Sequence, residues 1–104
     1  MESSSNLRMF CDEHSPKADP RWKERELNFF TDKLVKRGFA TGDPKVHIEH
    51  MWVEVTGIEG EKLVGTLAND PVWCEELCFG DTVLVDRADI ESVFDKTSRQ
   101  EVQP

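Results

Sequence analysis

Between positions 46 and 56 the chain alternates with a period of two. Val46, Ile48, His50 and Trp52 fall on one face of an extended strand; His47, Glu49, Met51, Val53 and Val55 fall on the other. Apolar character passes from the first face to the second near Met51. A strand that changes its buried face bends or carries a bulge, as at the corner of a small barrel. Gly57-Ile58-Glu59-Gly60 is a turn signal, and Lys62 to Ala68 reads as the next strand. Gly65 marks a bend or a close approach of another backbone within it. Asn69-Asp70-Pro71 ends that strand, and Val72 to Phe79 reads as a short helical or extended crossover. Gly80-Asp81 turns into a strand from Thr82 to Asp86. Ala88 to Phe94 fits either a last strand or one helical turn, since Ile90, Val93 and Phe94 have helical spacing.

The N-terminal part follows a different pattern. Asp19-Pro20 is a helix-start signal: Asp accepts from orphan amides, and Pro is tolerated in the first turn. Leu27, Phe30 and Leu34 follow at spacings of three and four, which predicts one amphipathic helix with Lys23, Glu24, Arg25 and Glu26 on its polar side. Lys36-Arg37-Gly38 would be a suitable helix end. The favoured reading instead stops the helix near Thr31-Asp32 and starts a strand at Leu34. Val35, Arg37 and Phe39 then share one face, and Thr41-Gly42-Asp43-Pro44 closes a hairpin into Val46.

Short strands with closely spaced turns predict an α+β domain. Its sheet is small, antiparallel and strongly bent, an SH3-like partly open barrel carrying one N-terminal helix. The domain spans residues 19–95, between a polar tail at 1–18 and a second at 96–104. Leu7, Met9 and Phe10 are the first tail's candidates for local docking.

Composition narrows the function classes. The 104 residues carry a formal net charge of −8. Residues 1–45 hold nine Lys/Arg and eight Asp/Glu; residues 46–104 hold four and thirteen. The acidity therefore belongs to the strand-rich half. Direct nucleic-acid binding is not expected, because phosphate contacts need clustered cations, and neither is attraction to anionic lipid. No apolar run reaches the roughly 18 residues of a membrane span. Met1 to Asn6 lacks the basic-then-apolar order of a secretory signal. Three cysteines without such a signal suit a reducing, cytoplasmic setting.

The order of these elements resembles the YegJ-like bacterial domains of unknown function over roughly residues 20–94. The likeness rests on the Leu34–Val46 hairpin, on Glu49-His50-Met51-Trp52, on Gly65, Leu67, Asn69 and Pro71, on Gly80-Asp81, Val83 and Val85, and on a closing Ile90. The resemblance implies the fold and carries no agreed activity. Cys74, Cys78 and the N-terminal tail lie outside its pattern.

Candidate chemistry is sparse. Cys11-x-x-His14 and Cys74-x-x-x-Cys78 offer four soft ligands in two pairs, the donor set zinc takes. The competing reading is structural cysteine, with Cys78 between Leu77 and Phe79 as a core thiol, and no cofactor. A Cys–His nucleophile would join Cys74 or Cys78 to His47 or His50, but Glu75 and Glu76 would raise the Cys74 pKa and oppose it. His50 and Trp52 share a face: either a partner surface, or a core tryptophan beside a histidine bonded to backbone. Trp73, with Asp70, Glu75 and Glu76 nearby, suits a partner presenting Arg or Lys; otherwise it is a lid over the barrel end. No paired carboxylate motif or phosphate loop is present, so no enzyme is expected. The reading is a non-enzymatic module of immunity or inhibitor type that binds a basic protein surface. The alternative is a small-ligand or zinc-binding accessory domain with its site near Trp73, Cys74 and Cys78.

Overall fold

The computed structural model describes residues 17–41, 45 and 47–104. Among these described residues the framework is one antiparallel sheet of six strands. They are β1 (Lys33–Ala40), β2 (Ile48–Glu59), β3 (Lys62–Leu67), β4 (Thr82–Val85), β5 (Ser92–Asp95) and β6 (Gln100–Val102). The spatial order is β4-β3-β2-β1-β5-β6. Residues 33–40 are thus a strand, paired along their length with β2 from Leu34 opposite Glu54 to Ala40 opposite Ile48. The turn expected at Gly42-Asp43-Pro44 lies outside the described residues.

The sheet is open, which corrects the expected SH3-like barrel. Strands β4 and β6 stand at opposite edges, and they are only four and three residues long. Closure needs edge strands that reach each other with matched tilt and stagger, and these are too short to do so. The bend in β2 is local. The β2–β3 register shifts between Val55 and Gly57, leaving Thr56 as the extra residue of a bulge. It falls after Met51, Val53 and Val55 have all been buried on one face, not at Met51. Gly65 sits opposite Val55, where an added Cβ would lie 2.3 Å from the Glu54 carbonyl oxygen. The close approach expected at Gly65 is therefore present.

One face of the sheet carries the core: Val35 and Phe39 of β1, Met51, Val53 and Val55 of β2, Leu63 and Leu67 of β3, Val83 and Val85 of β4, and Val93 of β5. Covering it are Trp22, Phe30, Cys74, Leu77 and Ile90, with Leu27 and Phe29 packed alongside. Arg37 shares this inner face and is buried with Asp89 of the 3-10 turn Arg87–Asp89, Nη1 to Oδ2 3.8 Å. Its guanidinium lies 4.8 Å from the Phe39 ring centroid, and its Nε–H donates to the Gly38 carbonyl.

The expected N-terminal amphipathic helix is absent. In its place stand two 3-10 turns, Pro20–Glu24 and Leu27–Phe30, separated by extended backbone at Arg25 and Glu26. Asp19 does cap, accepting from the Arg21 amide, but what it caps is a short turn. The aromatic spacing explains the break. Trp22, Phe29 and Phe30 all gather into one cluster, with ring centroids 5.1 to 6.1 Å apart. In an α-helix Phe29 and Phe30 would share a face with Trp22 but stand about two turns, roughly 11 Å, along the axis from it, too far for rings that meet the indole at 6.1 and 5.9 Å. Two tight turns with a flexed joint can bring them together. The expected tail at 96–104 contains β6, which pairs with β5 from Val93 opposite Val102 to Asp95 opposite Gln100. Beyond it, the Pro104 carbonyl accepts from Arg25. Of the two alternatives for Ala88–Phe94 the strand holds: Val93 and Phe94 belong to β5 and Ile90 is extended, while a 3-10 turn precedes them at Arg87–Asp89.

Candidate functional site

The segment from Ala68 to Asp81, between β3 and β4, contains neither helix nor strand, yet it is tied down at both ends. At its start, the Ala68 amide donates to the Trp52 carbonyl, and the Trp52 amide donates to Asn69 Oδ1. At its end, Gly80 adopts a φ of 88°, a conformation that favours glycine, and its amide donates to the Leu67 carbonyl. The Asp81 carboxylate accepts from the Cys78 amide at 2.9 Å.

The middle is held by Glu49 of β2. Its Oε2 accepts from the Val72 amide at 2.9 Å, while Oε1 accepts from the amides of Trp73 at 2.9 Å and Cys74 at 3.0 Å. Burial pushes the Glu49 carboxyl up, but the three amides outweigh it and hold it below its ordinary 4.5. Cys74 and Leu77 plug the segment into the core, and the Cys74 thiol faces the Ala40 carbonyl. Burial, with the Glu49 and Glu76 charges adding to it, raises the Cys74 pKa.

A loop anchored so firmly presents unusual side chains to water. Val72 is 73% exposed, Phe79 69% and Trp73 44%. Asp70, Glu75 and Glu76 are exposed beside them. Among the described residues the other large exposed apolar side chain is Ile58. Trp73, expected either at a partner surface or as a lid, thus keeps a little over half of its area covered. The thiols also differ from expectation: Cys78 is exposed and Cys74 is the core thiol. The apolar neighbours Leu77 and Phe79 do not carry Cys78 inward, because only Leu77 is itself buried.

The expected partner residues divide between two places. Trp73, Asp70, Glu75 and Glu76 lie on this loop, whereas His50 and Trp52 point to the outer face of the sheet, opposite the core. There His50 Nδ1 meets Glu91 Oε2 at 2.6 Å, a pair in which the Glu91 side chain is 5% exposed and His50 28%. His50 is therefore fixed by a carboxylate and not by backbone. Trp52 is half-buried on the outer face and does not fill the core. It makes an edge-to-face contact with Phe94, centroids 6.4 Å apart, and helps line an apolar pocket of about 330 Å³ with Leu34, Ala68 and Phe94.

This division separates one of the Cys–His candidates, since His50 lies on the outer face of the sheet and Cys74 on the core side. Cys11 and His14 of the four-ligand zinc set lie outside the described residues. Among the described residues no group of three or more His, Cys, Asp or Glu side chains is arranged to hold a metal ion, and no helix is long and apolar enough to cross a membrane. Sequence reasoning missed Glu49, Val72, Phe79 and Glu91. Glu49 was detectable as an acid on the face of β2 that otherwise buries Met51, Val53 and Val55; the others carry no local signal.

Residues 14–100 match the profile of a family described as an uncharacterised protein conserved in bacteria, DUF2314. No curated protein and no solved structure matches the chain significantly.

Proposed function

Starting from the fact that the chain belongs to the DUF2314 family of uncharacterised bacterial proteins, we propose that it is a non-enzymatic interaction module whose Ala68–Asp81 loop binds a basic protein surface. The observation that carries this reading is the exposure of Val72, Trp73 and Phe79 on backbone already fixed by Glu49 and Asp81. Exposed apolar groups that cluster on one surface mark interaction sites, and a fixed loop loses little conformational entropy on binding. Asp70, Glu75 and Glu76 supply a carboxylate rim, which favours Arg and Lys opposite Trp73. The acidic excess of residues 46–104 extends the same field.

The Glu49-His50-Met51-Trp52 segment supports the narrower likeness to YegJ-like domains. Its four residues serve four different places. Glu49 holds the loop, His50 pairs with Glu91, Met51 fills the core and Trp52 lines the outer pocket. An immunity or inhibitor role, exercised in the cytoplasm where free thiols stay reduced, fits an acidic surface that meets a basic one.

The test is affinity capture from bacterial lysate with the wild-type chain and Trp73→Ala in parallel. A partner with a basic surface should be retained by the wild type, lost from the variant, and released progressively as salt is raised. Retention of the same proteins by Trp73→Ala, or binding indifferent to salt, would overturn the reading.

A further inference from the structure

The outer face of the sheet holds a second feature, independent of the loop. Leu34 of β1, Trp52 of β2, Ala68 after β3 and Phe94 of β5 line the 330 Å³ pocket, which lies at the small end of the range for small-molecule sites. Its walls are almost wholly apolar. Register fixes the groups around it. Lys36 stands between Trp52 and Ser92, while Leu34 stands between Glu54 and Phe94.

The charged groups are unequal. Glu54 is paired with Lys96 at 2.6 Å, and His50 with Glu91. Glu101 of β6 lies beyond Phe94, one row away from Lys36. The Lys36 ammonium makes no ion pair or hydrogen bond among the described residues; it sits 5.8 Å from the Trp52 ring centroid. The neighbouring anions are thus either engaged by cations of their own or set in another row, and Lys36, in register with Trp52 and Ser92, stands beside the Trp52 wall of the pocket.

We propose that this pocket binds a small planar aromatic carboxylate, with its ring system over Leu34, Trp52 and Phe94 and its carboxylate toward Lys36. An apolar floor with one cation at its edge complements an anion carried on an aromatic body. A neutral aromatic would leave Lys36 unused, and an ammonium compound would meet it as a like charge. Ala68 opens the loop and also lines the pocket, but the part of the loop that carries Trp73 is held by Glu49 and by the buried Cys74 and Leu77 on the core side, so the two sites can be tested apart.

The probe is 2-naphthoate, titrated into the full chain and followed by backbone amide NMR, with 2-naphthylmethanol as its uncharged counterpart. Naphthoate should shift the amides of Leu34, Trp52, Ala68 and Phe94 saturably. Naphthylmethanol should bind the same place about fivefold more weakly, the upper range for an exposed charge contact. Lys36→Met, which keeps the aliphatic stem, should weaken naphthoate about fivefold and leave the alcohol unchanged. Ala68→Leu, which fills the pocket and retains Lys36, should weaken both. Trp73→Ala should change neither, which separates this proposal from the loop's function. Equal affinity for acid and alcohol would overturn the proposal. So would shifts confined to Val72–Phe79, or shifts of the pocket amides on dilution without probe, which would assign the face to a second copy of the chain.

Discussion

Removing the Glu49 carboxylate should loosen the exposed loop while leaving the sheet intact. Glu49→Ala deprives the amides of Val72, Trp73 and Cys74 of their acceptor. The first two are at the surface, so water can replace the carboxylate there at little cost. The Cys74 amide is part-buried and bonds next to a buried thiol. A hydrogen bond to a charged group contributes about 1.5–3 kcal/mol, and the penalty concentrates on the amide that water reaches least. We expect a loss of about 2 kcal/mol in the opening free energy of residues 72–74, read as roughly thirtyfold faster amide exchange there. Glu49→Gln is the sharper variant. Its one carbonyl oxygen can still accept from Trp73 and Cys74, which share Oε1, while its amide group would face the Val72 N–H donor to donor. Exchange should therefore accelerate at Val72 and stay near wild type at Cys74. The pH dependence follows from the same contacts. The folded carboxyl lies below its ordinary 4.5, so its contribution is complete above that value and disappears as pH falls through the folded pKa. Loop protection should fade in acid in the wild type and show no such transition in Glu49→Ala. Unchanged exchange at 72–74 in Glu49→Ala would refute the idea that this side chain organises the loop.

Other outcomes follow from the core and the thiols. Gly65→Ala should destabilise the domain by about 1–3 kcal/mol in urea denaturation, because the new Cβ meets the Glu54 carbonyl at 2.3 Å and the strand must move. Trp22→Phe should cost less than most losses of a buried tryptophan, about 1 kcal/mol or under. The indole Nε1 is buried without a hydrogen-bond partner among the described residues, and relief of that penalty offsets part of the lost volume; a loss above about 3 kcal/mol would contradict this balance. Arg37→Met should destabilise by about 3 kcal/mol by leaving the Asp89 carboxylate buried beside an uncharged side chain. In native protein at neutral pH, iodoacetamide should alkylate Cys78 well before Cys74, as judged by peptide mapping, since Cys74 is buried and its pKa is raised.

The strands were legible because their alternation is strong. Val35, Arg37 and Phe39 share a face as the pattern implied, and the close approach at Gly65 is where the glycine interrupts a strand. Strand closure was not legible. Barrel and open sheet share the same local alternation, and what decides between them is the length and reach of β4 and β6, which no periodicity reveals. The N-terminal helix failed for a related reason. Leu27, Phe30 and Leu34 have helical spacing, yet Leu34 belongs to β1 and Trp22 to a separate turn. Tertiary demand for three aromatics in one cluster outweighed a weak local preference. Of the site, Trp73 and its carboxylates were visible as residue types, but their exposure depends on which way an aperiodic loop turns. Glu49 and Glu91 act across separations of more than twenty residues, beyond the range of any spacing rule.

The bulge at Thr56 has a consequence for how β2 tolerates change in length. Upstream of it, successive residues serve opposite sides: Glu49 reaches the loop, His50 the outer carboxylate, Met51 the core, Trp52 the pocket. Deleting one residue within 49–52 would invert this order and disconnect both surfaces at once. The bulge already accommodates one surplus residue downstream, at the point where the strand passes from Val55 to Gly57. A deletion of Thr56 would restore regular pairing to the short stretch that follows and leave the upstream assignments untouched. Strand β2 is therefore rigid in phase over its first half and adjustable in phase over its second.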